Sequence, residues 1–342
     1  MHISLLKLIL TVPFLLILPG AFFQLAIFGW KEYQNGSKIT FFEKAVLSVP
    51  FSLILIDLII LFLNKLNILI RGTAIVESVF GLCLVCYGVY HFRFRKKKKS
   101  GKEGEKENQD ALFDFSNWQA IFVLLAILLA IFIRVSYLTD TIVPSATDMG
   151  HHMYWAQTIA DTGHLPSYGM PDFIIGEHMI FAAVNLVSGV GLLTAMPALL
   201  LLLFNIAGIF TIAILAGRVF KSNIVAAMAF FTAGVLYAVN APQAHYVSGG
   251  VVGNIIGDML IPVGLYFLFR ALNEKNQAFA GLFLFSFAGL LYTHHLSAFV
   301  FIFSVAAVLI LYLILNLNRA HKILLGWIRL FLKPFPLVVI VI

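Results

Sequence analysis

The chain has 342 residues, of which 61% are hydrophobic and 11% charged, and its net charge is +7. A soluble domain is about 25% charged, and here the apolar residues come in long uninterrupted blocks, so a soluble globular fold is excluded. The surplus Lys and Arg sits in short clusters between those blocks, without interleaved aromatic residues, which argues for a lipid bilayer and against nucleic acid as the partner.

A helix needs about 20 mostly apolar residues to cross the hydrocarbon, because each peptide group must find its hydrogen bonds inside its own helix. Apolar blocks fall near residues 5–29, 45–64, 73–92, 117–138, 177–195, 197–217, 223–240, 252–271, 277–293 and 296–316. They lack the polar–apolar alternation of barrel strands. The predicted fold class is therefore all-α, a polytopic transmembrane helical bundle that crosses roughly nine or ten times. A last block opens at Pro334 and stops at Ile342, too short to cross, so the chain reads as the N-terminal part of a longer one or as a truncated gene product.

Three spans fill residues 1–92. They carry Asp57 and Glu77, intramembrane carboxylates for which Arg71 is the expected partner in a structural ion pair, a proton path being the competing reading. Cys83 and Cys86 form a C-x-x-C inside an apolar block and read as small buried hydrophobes. The linker 93–116 holds Arg93, Arg95, Lys96, Lys97, Lys98, Lys99, Lys102 and Lys106. Its charge makes it cytoplasmic and its polar composition predicts disorder. The N-terminus then lies outside if all three spans cross.

Residues 117–342 form a second module. Its first span, 117–138, brings Arg134 to the outer end, where a guanidinium either snorkels to the interface or meets a lipid phosphate. No Lys or Arg follows until Arg218, a gap of 83 residues. Parity allows an even number of crossings between two cytoplasmic loops, so the block 177–195 is read as a helix lying along or dipping into the outer leaflet, interrupted at Ser188, Gly189 and Gly191. Residues 139–196 then make one large extracytoplasmic loop, a length more often functional than idle.

A helix from about 148 to 162 in that loop, ended by Gly163 and Pro166, places Asp148, His151, His152 and Trp155 on one face. Two readings stand side by side. Asp148 with His151 or His152 is an acid/base pair, or Asp148 is a helix cap while the histidines wet an interfacial helix and Tyr154 and Trp155 join the aromatic belt. Asp148, His151 or His152, and Glu177 or His178 are ligand types for a divalent metal, with Asp148 and His152 the leading candidates. Other polar outer positions are Gln243, His245 and Tyr246, Asp258, and Thr293-His294-His295. Seven of the ten histidines fall on the outer side, which places the working site there.

These residues resemble the glycosyltransferase-C superfamily, polytopic enzymes that take a sugar from a polyprenyl phosphate carrier. The resemblance covers about 117–316. It rests on a span feeding a long outer loop, Asp148 near the loop start, the stretch His152-x-x-x-Ala156-x-x-Ile159-x-x-x-Gly163-x-Leu165-Pro166, a hydrophobic juxtamembrane helix, and short basic turns such as Gly217-Arg218-Val219-Phe220-Lys221. It implies a membrane glycosyltransferase that draws on a polyprenyl-phosphate-sugar donor at the extracytoplasmic face. Asp148 would be the base or a metal-side carboxylate, His151 and His152 its catalytic neighbours, and Arg134, Glu177, His178, His245, Asp258, His294 and His295 candidate substrate-binding residues. The layout departs from the family in its three leading spans and in outer loops beyond the first that lack Lys and Arg. A transporter and a non-catalytic assembly subunit are the rival readings.

Overall fold

The computed structural model describes residues 2–29, 33–34, 37–95, 112–136, 147–166, 176–240 and 252–334. The bundle is built from α1 (His2–Leu16), α2 (Leu18–Phe28), α3 (Phe41–Lys65), α4 (Gly72–Arg95), α5 (Asn117–Val135), α6 (Thr147–Thr162), α7 (Gly176–Ser188), α8 (Met196–Phe220) and α9 (Asn223–Phe231). A π-helical turn at Thr232–Leu236 carries α9 into α10 (Tyr237–Asn240), and α11 (Val252–Glu274), α12 (Gln277–Thr293), α13 (His295–Leu315) and α14 (Ala320–Leu332) follow. Extended structure among the described residues is one antiparallel pairing of Tyr33–Gln34 with Ser37–Lys38. The fold is thus the predicted helical bundle. Among the described residues, seven helices are long and apolar enough to cross a membrane, α1 and α2 counting as one, and Asn223–Leu236 and Gln277–Thr293 are shorter apolar helices. The chain is an integral, multi-pass membrane protein.

In lipid, helices gain little from hiding apolar surface from one another, so close approach and interhelical hydrogen bonds hold them together. At Gly20 the backbone of α2 meets α3, and its N–H donates to Ser52 Oγ at 2.8 Å. Four residues on, Gln24 donates to Ser48 Oγ at 3.1 Å. The helix α5 buries only a narrow stripe, with Ala126, Ala130 and Arg134 one turn apart, and Ala130 packs against Gly234 of the π turn.

The two ends of the bundle differ. At the basic end the N-terminus of α3 is capped by Thr40, whose side chain and backbone exchange bonds with Glu43. The buried Glu43 carboxylate receives Arg218 Nε and Nη2, both at 2.5 Å, and the Tyr266 hydroxyl at 2.8 Å. Arg270 donates to Tyr266 Oη at 2.8 Å and lies over the Phe279 ring, 4.3 Å from its centroid. The opposite, histidine end is closed by α6 and α7. There Ile70 N–H donates to Gly163 O at 2.8 Å and Leu165 N–H to Asn64 Oδ1 at 2.9 Å, so the end of α6 is tied to the α3–α4 connection.

One element differs from expectation. The block 177–195 yields a helix that stops at Ser188, with Gly189 at φ +66°, and its 13 residues span roughly 20 Å. It is not among the helices long and apolar enough to cross a membrane. It is surrounded by protein rather than lipid, because Gly176 through Val184 are all buried, packed among α1, α3, α4 and α6. Its stretch Met179–Val184 is apolar on every side, equally suited to lipid and to a protein interior, and the protein interior holds it. One hydrophobic core consequently runs from Leu15, Ile54 and Ile75 through Phe181 to Leu201 and Met259.

Candidate functional site

The helix α6 buries a stripe of Met149, His152, Met153, Ala156 and Ile159 and leaves His151 and Tyr154 exposed. The face predicted to unite Asp148, His151, His152 and Trp155 therefore straddles the edge of the protein. His152 points inward and His151 outward, where His151 Nε2 accepts from the Trp155 indole at 2.8 Å. An indole only donates, so the neutral His151 ring carries its proton on Nδ1. Asp148 lies in the first turn of α6, and its side chain is outside the described residues, as is all of His245.

Glu177 and His178 open α7, both buried. His152 Nδ1 lies 2.8 Å from His178 Nε2 and 3.1 Å from Glu177 Oε1. The donor atoms of these three side chains all fall within 4.8 Å of one another, a grouping that could hold a metal ion. His151 approaches from the exposed side, its ring centroid 6.4 Å from that of His178.

Immediately beside this cluster stands Asp57, in α3 and 1% exposed. Its Oδ2 accepts from Thr293 Oγ1 at 3.1 Å, while Oδ1 has no hydrogen-bond partner among the described residues. Gly176 is the contact point, since a Cβ there would lie 2.5 Å from Asp57 Oδ2 and 2.8 Å from Thr293 Cα. The N-terminus of α7 thus abuts a carboxylate, the sign of charge that the helix dipole favours. The expected Asp57 partner, Arg71, does not contact it, and Glu77 lies on an exposed face of α4. A carboxylate eight residues before the end of its span was legible as unusual, but its partners come from two distant helices that no local pattern joins to it.

The remaining predicted positions lie elsewhere. His294 caps α13, its Nδ1 2.7 Å from Ser297 Oγ, with its ring against Gly253 of α11; His295 is exposed. Arg134 is buried, donating Nε to Asn205 Oδ1 at 3.2 Å and Nη1 to Gly234 O at 2.5 Å and Ala130 O at 3.2 Å. It does not snorkel. The π turn presents the Gly234 carbonyl to Arg134 across the helix interface, a setting in which such turns recur at functional sites. Arg134 and Asp258 line one cavity of about 510 Å³, together with Asn205, Thr232 and Tyr237.

Fold and site together define a polytopic helical membrane protein with a buried centre of two carboxylates and two imidazoles at one end of its bundle. A lateral cavity walled by an arginine accompanies it. The chain belongs to DUF6541, a family of unknown function, whose sequence profile matches residues 42–342. The match takes in α3 and α4, so two of the leading helices are part of the family unit. No curated protein and no solved structure matches the chain.

Proposed function

We propose that the protein is a membrane glycosyltransferase that moves a sugar from a polyprenyl-phosphate-linked donor to an acceptor at the extracytoplasmic face. The observation that carries this reading is the folding of the connection after α5. It supplies two helices, α6 and α7, that gather His152, Glu177 and His178 beside Asp57 and Thr293. An acceptor hydroxyl attacking an anomeric carbon needs a carboxylate to take its proton, and a positioned base contributes roughly 10²–10⁴-fold. Asp148, four residues before His152 in α6, is the proposed base. The leaving lipid phosphate needs positive charge, which Arg134 supplies to the wall of a cavity of about 510 Å³, within the ordinary range of roughly 300–1,000 Å³ for ligand sites. Sidedness follows from the charge rule, which puts Arg218, Lys221, Arg270 and Lys275 in the cytoplasm and the histidine end outside.

The test is transfer of labelled sugar from polyprenyl-phosphate donors in proteoliposomes, wild type against Asp148→Asn at matched expression. Transfer by the wild type that falls at least ~100-fold in the variant supports both reaction and base. Equal transfer by both removes Asp148 from the mechanism, and absence of transfer across a panel of donors overturns the reading. One observation favours a transporter instead: α7 is a short buried helix whose N-terminus meets an intramembrane carboxylate, as in broken-helix transport sites. Solute or proton flux abolished by Asp57→Asn, with no sugar transfer in the wild type, would select it.

A further inference from the structure

The buried centre poses a problem of proton counting. His152 Nδ1 faces both His178 Nε2 at 2.8 Å and Glu177 Oε1 at 3.1 Å. A ring nitrogen carries one proton or one lone pair. If Nδ1 donates to the carboxylate, it turns the same hydrogen toward His178, whose Nε2 must then be a bare acceptor competing for it. If Nδ1 accepts from His178, it meets the carboxylate lone pair to lone pair. Either arrangement leaves one of these close contacts with a shared or missing proton, in a setting where buried polar groups are costly unless satisfied.

A cation at the centre of the three atoms resolves this, because each then offers a lone pair to the same acceptor of electrons. The distances fit. With metal–nitrogen and metal–oxygen bonds of about 2.0–2.1 Å, neighbouring donors in a tetrahedron lie roughly 3.3 Å apart, and the two separations, 2.8 and 3.1 Å, fall just inside that edge. The backbone also departs from the default. Consecutive helical residues do not face each other, yet Glu177 and His178 converge on one nitrogen of another helix.

A second, independent observation lies next to the cluster. Asp57 is buried, its Oδ1 has no hydrogen-bond partner among the described residues, and its carboxylate interacts electrostatically with that of Glu177. Two carboxylates packed together inside a membrane protein stay charged together only if a cation lies between or beside them, the alternative being a proton on one of them, and no Lys or Arg acts on Asp57 among the described residues. Carboxylates that stand behind metal ligands commonly play this supporting part.

We infer that His152 Nδ1, Glu177 Oε1 and His178 Nε2 bind one divalent d-block cation of the zinc class, with Asp57 as the supporting carboxylate. Two imidazoles and one carboxylate are the donor set of three-ligand zinc sites that keep a fourth position open, and imidazole nitrogen is a poor match for magnesium or calcium. A fourth position would be left for water or a substrate oxygen, and His151 stands on the exposed side of the cluster, its ring centroid 6.4 Å from that of His178. This inference does not rest on sugar transfer, and its readout is bound metal rather than activity.

The experiment uses the full chain in detergent, purified through a tag that contains no histidine, stripped with a chelator and titrated with Zn²⁺, Co²⁺ and Mg²⁺. Elemental analysis should give about one zinc per chain. Co²⁺ should produce the visible absorption of a four-coordinate ion, displaced by Zn²⁺ and not by excess Mg²⁺. Glu177→Gln and His178→Ala should weaken binding by more than the ~10–100-fold that loss of an outer partner costs, while His151→Ala and His295→Ala keep the stoichiometry. A stripped wild type that takes up neither Zn²⁺ nor Co²⁺ overturns the inference, and that titration needs no variant to fold. Displacement of Co²⁺ by Mg²⁺, or unchanged affinity in folded Glu177→Gln and His178→Ala, overturns it equally.

Discussion

Glu43→Gln should destabilise the bundle by about 3–5 kcal/mol, the cost of leaving one member of a buried ion pair behind. The Glu43 side chain is 0% exposed. Its two oxygens accept from Arg218 Nε and Nη2, from Tyr266 Oη, and from the Thr40 N–H and hydroxyl. Every neighbour is a donor. An amide of the same shape offers one oxygen and turns an NH₂ group toward donors, while Arg218 keeps its charge. Removing both charges, with Glu43→Met and Arg218→Met together, takes away the buried charge as well as its partner, and the Tyr266 hydroxyl still accepts from Arg270 Nη1 at 2.8 Å. The double variant should therefore lose less than the sum of Glu43→Met and Arg218→Met, by about 1–3 kcal/mol of coupling. Unfolding of all three variants and the wild type in mixed detergent, followed by fluorescence, closes the cycle. Losses that add to within about 0.5 kcal/mol would refute the claim that the pair acts as a unit.

Three further outcomes follow from the histidine end. Gly176→Ala puts a Cβ 2.5 Å from Asp57 Oδ2 and 2.8 Å from the Thr293 Cα; a backbone atom gives way poorly, so about 1–3 kcal/mol should be lost, read as a lower unfolding midpoint. Gly150→Ala is the contrast, because nothing lies within 4 Å of its Cβ and alanine favours the helix by up to about 1 kcal/mol; the same assay should register no loss. Asp57→Asn keeps an oxygen for Thr293 but cannot supply a negative charge beside a bound cation, and should weaken zinc binding roughly 10–100-fold in a calorimetric titration.

The helices and their charged turns were legible in the sequence because lipid imposes one strong constraint, the long apolar run. Arg134, Glu177, His178 and His152 were likewise visible as ionisable residues in a charge-poor chain. What the sequence could not tell was the neighbour. A run such as Met179-Ile180-Phe181-Ala182-Ala183-Val184 meets lipid or protein with equal ease, so the burial of α7 was hidden. The sequence offers Arg71 as the partner of Asp57, whereas its contacts, Gly176 and Thr293, lie 119 and 236 positions further on. His294 is a candidate substrate-binding residue by its location, and the structure also makes it a helix cap, with its ring partner Ser297 three residues on.

The linker between α4 and α5 separates two segments that share one site, and this has a testable outcome. Asp57 and Glu43 belong to the first segment; their partners Thr293, Arg218 and Tyr266 belong to the second. The Asn64–Leu165 and Ile70–Gly163 bonds cross the same divide. In lipid each neutral bond of this kind contributes about 0.6 kcal/mol on average and at most about 1.7, so the segments are held by several ties, the Glu43–Arg218 pair the strongest, acting with the packing of α7 against α1, α3 and α4. Residues 1–95 and 112–342, expressed as two chains in one cell, should therefore co-purify through a tag on either, and residues 112–342 alone should aggregate because α7 has lost its neighbours. Adding Glu43→Gln to the shorter chain should lower recovery of the complex, and Asn64→Ala should lower it less, since a neutral bond is lost there and no buried charge is stranded. Recovery of a monodisperse 112–342 chain by itself would refute the view that the leading helices complete the site.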